Sequence, residues 1–558
     1  MSRSHLFVLF MITVTSALPV RADQQESLKI GVLGQDTLDF FPRRQQPGRS
    51  HFVRELLSPP MVIMNEKWNW TCTICDDIPT TENGQVRVNT KAKFPFITEW
   101  RLKPNLKWSD GKPITADDIK FTMNLLFRQS REENSPHLPL FKVDIHPKDK
   151  LKFYISFKEP RYDYFQIMAL SLLPAHKQDD IEKITNMLDS TKDLNQISKL
   201  LESEGLYYGP YFVKNLNASE IHLQRNLHYS DDPDGYEEIK IIYKKSRSLL
   251  ENELKVGRID MVAEGNFSTD QAINLAEKHS FVATNFRIIS SPSSYLDQLI
   301  VNMRNPYLSD INMRKALLIA IDRDKLLQGV YHGHGRAAYD LLPTIGKESS
   351  LRMFPFNPDH ARSLLDNLGW EQTESGIRYR HGQPLQIEIV AKQVANDKET
   401  AQFIQEDWKA IGIDVRLNFF EPREYAERIL KPKRFRDVAL VSISHMPHTY
   451  WFGRFHSQSI PEEGNFFEGM NFGNWQNKTI DQLLGSYQKT YDLFAMWQTS
   501  NRIQAEIYKH LPIFPLVFQP KLMLVRDTIG NVRLSGHHFH SSLYSAEWTN
   551  MKKEAEMF

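Results

Sequence analysis

The sequence predicts an α/β protein of at least two domains. Its 558 residues exceed the length at which a single hydrophobic core stops growing. Strand-like runs alternate with capped helical stretches along most of the chain. One segment shows the pattern in full. A helix over Glu399–Ile411 stops at Gly412, and a strand follows in which Ile413, Val415, Leu417 and Phe419 alternate with polar neighbours.

The other elements can be placed in chain order. Leu28-Lys-Ile-Gly-Val-Leu33 forms a first strand. Trp100–Lys103 and Lys107–Trp108 are extended, and Asp110-Gly111 closes a turn. Thr115 then caps a helix, with Asp118 three residues on. Ile119, Thr122, Met123 and Leu126 share one face of that helix. Asn357 is an N-cap followed by Pro358 at the first helical position. Ala361, Leu364, Leu365 and Leu368 form the stripe to be buried, and Gly369 ends the helix.

Composition narrows the function classes. Hydrophobic residues make up 41% and charged residues 25%, as in a soluble globular protein. Lys+Arg total 69 against 68 Asp+Glu, so no global field favours nucleic acid or an anionic membrane. The basic cluster Lys431, Lys433, Arg434 and Arg436 fits a solvated turn.

Residues 1–22 are expected to be a signal peptide. Arg3 precedes an apolar run that begins at Leu6–Met11 and continues weakly to Val20. Val20-Arg21-Ala22 suits cleavage before Asp23, and no Cys follows to carry a lipid anchor. The run is too short and interrupted to span a bilayer, and no other stretch approaches about 18 apolar residues. The mature chain is therefore expected to be exported and not membrane-embedded.

The two cysteines, Cys72 and Cys75, are spaced C-x-x-C. A redox role needs a lowered thiol pKa, from a helix N-terminus or nearby cations. No helix start follows Cys72, and Asp76 and Asp77 oppose a thiolate. Two ligands alone make a poor zinc site. A local structural disulfide is the preferred expectation for an oxidising compartment.

No catalytic motif stands out. H-E-x-x-H, G-x-x-x-x-G-K-[ST] and G-x-S-x-G are all absent. Gly333-His-Gly335-Arg-Ala-Ala338 resembles a truncated dinucleotide fingerprint, but it follows a helix instead of a strand. Histidines cluster at His332/His334, His445/His448 and His537/His538/His540. Imidazole is a common metal ligand, yet exposed or locally bonded histidine explains each cluster more simply. No catalytic residue, cofactor or metal is expected.

The segment Trp100-Arg-Leu-Lys-Pro-Asn-Leu-Lys-Trp-Ser-Asp-Gly-Lys-Pro-Ile-Thr-Ala-Asp-Asp-Ile-Lys-Phe121 closely resembles the signature of extracellular solute-binding protein family 5. That family holds the periplasmic oligopeptide- and dipeptide-binding proteins of bacterial ABC importers. Further matches follow in the family's order: Asp36–Asp39, Gly209-Pro-Tyr211, Leu223–Asn226 with Tyr229, Leu254–Asp260, Asn312–Arg323, Pro358–Trp370, Ile411–Val415 and Asn474–Leu484. The resemblance implies a two-lobed periplasmic binding protein fold of the cluster C type, with two crossover segments and a ligand held between the lobes. Lobe I would be discontinuous (23–57, 204–286 and 511–558), with an inserted subdomain at 58–203. Lobe II would span 287–510.

The resemblance also places candidate ligand contacts. Arg44, Gln45 and Gln46, beside Arg43, match the segment that pairs with an extended ligand backbone. His137 falls where the inserted subdomain reaches the cleft. In peptide-binding members a lobe II strand leads to Gly-Trp-x-x-Asp, whose aspartate pairs with the peptide's α-ammonium group. Here the matching run is Val438-Ala-Leu-Val-Ser-Ile-Ser-His-Met-Pro-His448, without Gly-Trp, and the acid's position falls near His445 or Met446. His445, Met446, His448, Tyr450 and Trp451 are the candidate contacts there. This departure opens alternatives: a blocked peptide, an oligosaccharide or a nickel-type metal chelate, or Glu462, Glu463 or Glu468 folding back to supply the charge. The expected partners are a peptide or peptide-like ligand and an inner-membrane ABC permease, with the chain monomeric and making no nucleic-acid contact. A ligand-sensing subunit of a signalling system is the rival of a different class.

Overall fold

The computed structural model describes residues 27–34, 51–132, 141–186, 200–201, 204–217, 219–229, 235–342, 353–445, 451–536 and 549–550. Leu28–Leu33 is a strand as expected, burying Leu28, Ile30 and Val32. The helix after Thr115 spans Ala116–Glu132. The Thr115 hydroxyl accepts from the Asp117 amide at 3.3 Å, and the Asp118 carboxylate accepts from the Thr115 amide at 2.8 Å. Asn357 caps helix Pro358–Asn367 by accepting from the His360 amide at 3.0 Å. Gly369 then turns the chain at φ +78°, where a side chain would strain the backbone.

Two expectations shift. The helix assigned to Glu399–Ile411 runs over Ala395–Lys409, because nothing in Ala395–Lys398 opposes an earlier start. Lys107 makes an isolated bridge to Pro113 instead of a strand, since Asn105 turns the chain at φ +65° just before it.

The inserted region has its own antiparallel sheet, in the order Val86–Val88, Phe96–Arg101, Lys152–Phe157, Phe141–Ile145. Its core gathers Phe96, Trp100, Trp108, Ile119, Phe153 and Ile155. The signature residues serve that core. Trp108 packs edge-on against Tyr208 at 5.0 Å, and Asp118 also accepts from the Ala175 amide at 2.8 Å. Cys72 and Cys75 are joined in a disulfide, with Cys75 buried in the same core.

The remaining long strands form one large sheet, ordered Asp414–Phe420, Gln386–Lys392, Val438–Ser444, Phe286–Val301, Ile513–Arg526, Met261–Val262, Leu28–Leu33, Glu238–Lys244, Glu220–Arg225, Tyr211–Leu216. The two longest, Phe286–Val301 and Ile513–Arg526, pair antiparallel in the middle and pass through both lobes. Their residues change cores part-way. Leu296–Val301 and Ile513–Phe518 lie in the lobe II core, whereas Phe286, Leu522 and Leu524 pack with Leu250 and Val262 of lobe I. Each strand changes from one core to the other near its middle.

Candidate functional site

Strand register locates the site. Leu28–Leu33 runs parallel to Glu238–Lys244 and to Met261–Val262, and Gln386–Lys392 runs parallel to Val438–Ser444. Val262 pairs with Leu524, and Ser444 pairs with Tyr295. The carboxyl ends of the parallel strands of both lobes therefore point at the same place, the midpoint of the crossover strands. In open α/β sheets that is where ligands bind.

On one face of the crossover strands lies a recess of about 170 Å³. Gly265, Phe267, Ser268 and Thr269 of lobe I form one wall, Tyr331 and Asn396 of lobe II the other, and Gln519–Leu522 the floor. Beneath it sits a buried polar network. The Asp297 carboxylate accepts from the Tyr331 hydroxyl, the Ser442 hydroxyl and, at 2.7 Å, the Gln519 amide. Burial pushes Asp297 up to about 6 despite these bonds. Lys521, largely buried in the floor, pairs with Glu264 at 2.8 Å; burial still draws its ammonium down from the usual lysine range.

Further contacts join the lobes around the crossover. His332 Nε2 lies 2.9 Å from the Asp270 carboxylate, linking the residue after Tyr331 to the residue after Thr269. On the subdomain side, Tyr162 meets Tyr487 with tilted rings at 5.2 Å, Thr81 donates to Asp492 at 2.6 Å, and Phe96 meets Tyr491 at 5.1 Å.

Of the expected contacts, the structure brings His445 and Trp451 together, their rings 6.1 Å apart and edge-on. They are 0% and 1% exposed, so both sit in the wall of lobe II and present no open face to the cleft. The reason is the strand end itself. The His445 amide donates to Ser294 at 2.7 Å, tying it to the first crossover strand, and Trp451 packs beside Phe455 in the lobe II core. Burial, reinforced by the neighbouring Arg454 cation, holds His445 well below the usual imidazole range and neutral. Glu462, Glu463 and Glu468 are exposed. Arg44, Gln45, Gln46, His137, Met446, His448 and Tyr450 lie outside the described residues, as do His537, His538 and His540.

The glycine-rich motif has a structural explanation. At Gly335, φ is +93°, and a Cβ would lie 2.5 Å from the Phe518 carbonyl of the second crossover strand. His334 meets the Ser290 hydroxyl at 3.0 Å. Asp297, Tyr331, Asn396 and Gln519 are not singled out by the sequence. Each stands in an ordinary strand, helix or loop, and only pairing of distant segments brings them to one place. Among the described residues, no group of three or more His, Cys, Asp or Glu is arranged to hold a metal ion. No helix among them is long and apolar enough to cross a membrane.

Two α/β lobes joined by a pair of shared strands, with a recess at the junction, define a two-lobed solute-binding protein. Residues 97–444 match the model of the bacterial extracellular solute-binding proteins, family 5 (middle region); the chain belongs to this family, whose members are binding proteins. It is 22% identical over 540 residues to the oligopeptide-binding protein AppA of Bacillus subtilis, covering 94% of this chain and 92% of the relative. The structure of that AppA in complex with a nonapeptide superposes with a TM-score of 0.59, covering 94% of this chain and 99% of the other. NikA from Brucella suis in complex with Fe(III)-EDTA superposes at 0.69 with 19% identity, covering 94% and 99%.

Proposed function

We propose that this protein is a periplasmic receptor that captures a peptide or peptide-like solute between its lobes, performs no chemistry on it, and delivers it to an inner-membrane ABC permease as a monomer. The observation that carries this reading is the convergence of both lobes' strand ends on the crossover midpoint. A solute held there touches both lobes only when they close, so binding energy drives closure. The likeness to AppA supports a peptide ligand. The likeness to NikA supports a metal chelate as the second reading.

Native mass spectrometry of protein purified from its own periplasm tests both readings. A co-purified peptide supports the first; a metal-bearing small molecule supports the second and overturns the first. The same preparation tests export, because its amino terminus is expected at Asp23 and a full-length cytoplasmic chain would contradict it. Analytical ultracentrifugation of the same material should give one species of monomer mass.

A further inference from the structure

The inserted subdomain is fixed to lobe I through a shared helix. Along Ala116–Glu132, Ile119 and Met123 pack in the subdomain core, whereas Phe121 and Leu125 pack with Leu28 and Ile30 in the core of lobe I. Two pairs of chain neighbours are split in the same way. Leu172 and Tyr208 lie in the subdomain core, Leu173 and Tyr207 in that of lobe I. Close-packed cores that share a helix resist sliding past each other. The subdomain therefore moves with lobe I.

The same subdomain also holds lobe II, at the turn between helices Lys478–Lys489 and Leu493–His510. The exchange is reciprocal. Tyr491 and Leu493 of lobe II pack on the subdomain core, and Tyr162 of the subdomain packs on the core of lobe II. The Tyr162 amide donates to the Gln488 carbonyl at 3.3 Å, and the Tyr491 ring lies 5.1 Å from buried Phe96. The Thr81 hydroxyl donates to the Asp492 carboxylate at 2.6 Å, and that carboxylate also caps the second helix by accepting from the Ala495 amide at 2.8 Å. These bonds, Thr81 first, hold the Asp492 carboxyl below its usual range, so it is charged at neutral pH. None of these residues belongs to the crossover strands. The lobes thus meet a second time, through side chains and one backbone bond instead of a continuous helix or strand. A patch of that kind can part and re-form without unfolding either side.

We propose that this patch is a clasp, which favours the closed arrangement of the lobes before any ligand arrives and must part for the cleft to open. Part of the closure energy is then built into the chain, and the ligand adds the rest. The proposal rests on the two-lobed fold and not on the identity of the solute, so its test needs no ligand. Protein freed of co-purified solute by unfolding and refolding is followed by hydrogen-exchange mass spectrometry and small-angle scattering. In wild type the segment holding the Tyr162 amide should be protected. Thr81→Val removes one bond to a charged carboxylate and leaves the helix cap in place. Opening should become about tenfold more frequent, read as about tenfold faster exchange of that segment and as a larger radius of gyration. Thr81→Ser keeps the hydroxyl and should match wild type in both measurements. If Thr81→Val does not refold, Asp492→Asn takes its place, since asparagine also caps a helix; its exchange should be faster and its radius of gyration larger than those of wild type. An unprotected Tyr162 segment in wild type overturns the clasp, as does a variant with unchanged exchange and radius. Faster exchange at an unchanged radius also overturns it, because the patch would then fray without the lobes opening.

Discussion

Pro292 lies directly opposite Pro520, where the two crossover strands pass from one lobe into the other. Neither residue has an N–H to give, so the ladder loses its bonds at the point where the cores change over. The register also shifts between Pro292 and Leu296. The lobes are therefore joined by two strands whose weakest pairing falls between them, the right place for a hinge.

Replacing both prolines with alanine returns two N–H groups to the junction. We expect a stiffer hinge, seen as a smaller ligand-induced decrease in radius of gyration by small-angle scattering. Stability should fall by about 0.4–1 kcal/mol per proline, through the freer unfolded chain. An unchanged scattering response would remove the prolines from the closure mechanism.

The His332–Asp270 pair bridges the lobes beside the recess, with both side chains partly exposed. An exposed pair of this kind is worth about 0.2–1 kcal/mol. His332→Ala should weaken ligand binding by a factor of about five or less and leave the melting temperature of the unliganded protein nearly unchanged. A calorimetric affinity equal to that of wild type would show that the pair does not contribute to closure.

Asp297 gives a pH dependence of definite sign. Its carboxyl is pushed up to about 6 in the folded protein by burial, against about 3.9 when unfolded. The folded state therefore holds this proton more tightly. Its contribution to stability is fully present below about pH 4 and is lost as pH rises to about 6. Asp118 and Asp407, also pushed up to about 6 by burial, act in the same direction. Asp297→Asn keeps the shape, can still accept from Ser442 and Gln519, and removes the buried charge. Urea unfolding should find this variant more stable than wild type at pH 7.5, by up to about 3 kcal/mol, with little difference at pH 4. A destabilised variant at pH 7.5 would mean that the charged bonds outweigh the burial cost.

The disulfide sits in the subdomain core, away from the crossover. Its loop is very small, so its stabilisation should lie at the low end of about 0–5 kcal/mol. Replacing both Cys72 and Cys75 with serine should lower the melting temperature slightly and leave ligand binding intact. Loss of binding in a folded variant would contradict a purely structural bridge.

At the strand end after Ser444, a neutral His445 and a cationic Arg454 stand together, while Glu462, Glu463 and Glu468 point to solvent. Among the described residues no carboxylate is bonded to either side chain, so a free peptide amino terminus is expected to meet no fixed negative charge there. N-acetyl-tri-alanine should therefore bind at least as well as tri-alanine in calorimetry. Tight binding of the free peptide, abolished by acetylation, would reveal an acidic anchor elsewhere.

The sequence by itself determined the local grammar and the family. Thr115, Asn357, Gly369 and the alternation after Gly412 act on neighbours a few residues away, so caps, turns and strand faces follow from order alone. The solute-binding signature, Trp100–Phe121, is legible for the same reason, since it builds a turn and a helix start inside one subdomain. Only the tertiary structure decided the site. Asp297 meets Tyr331, Ser442 and Gln519 because three strands and a helix, far apart in sequence, converge at the crossover. His445 was legible as a departure from the family pattern, but its burial depends on packing against Ser294 and Trp451.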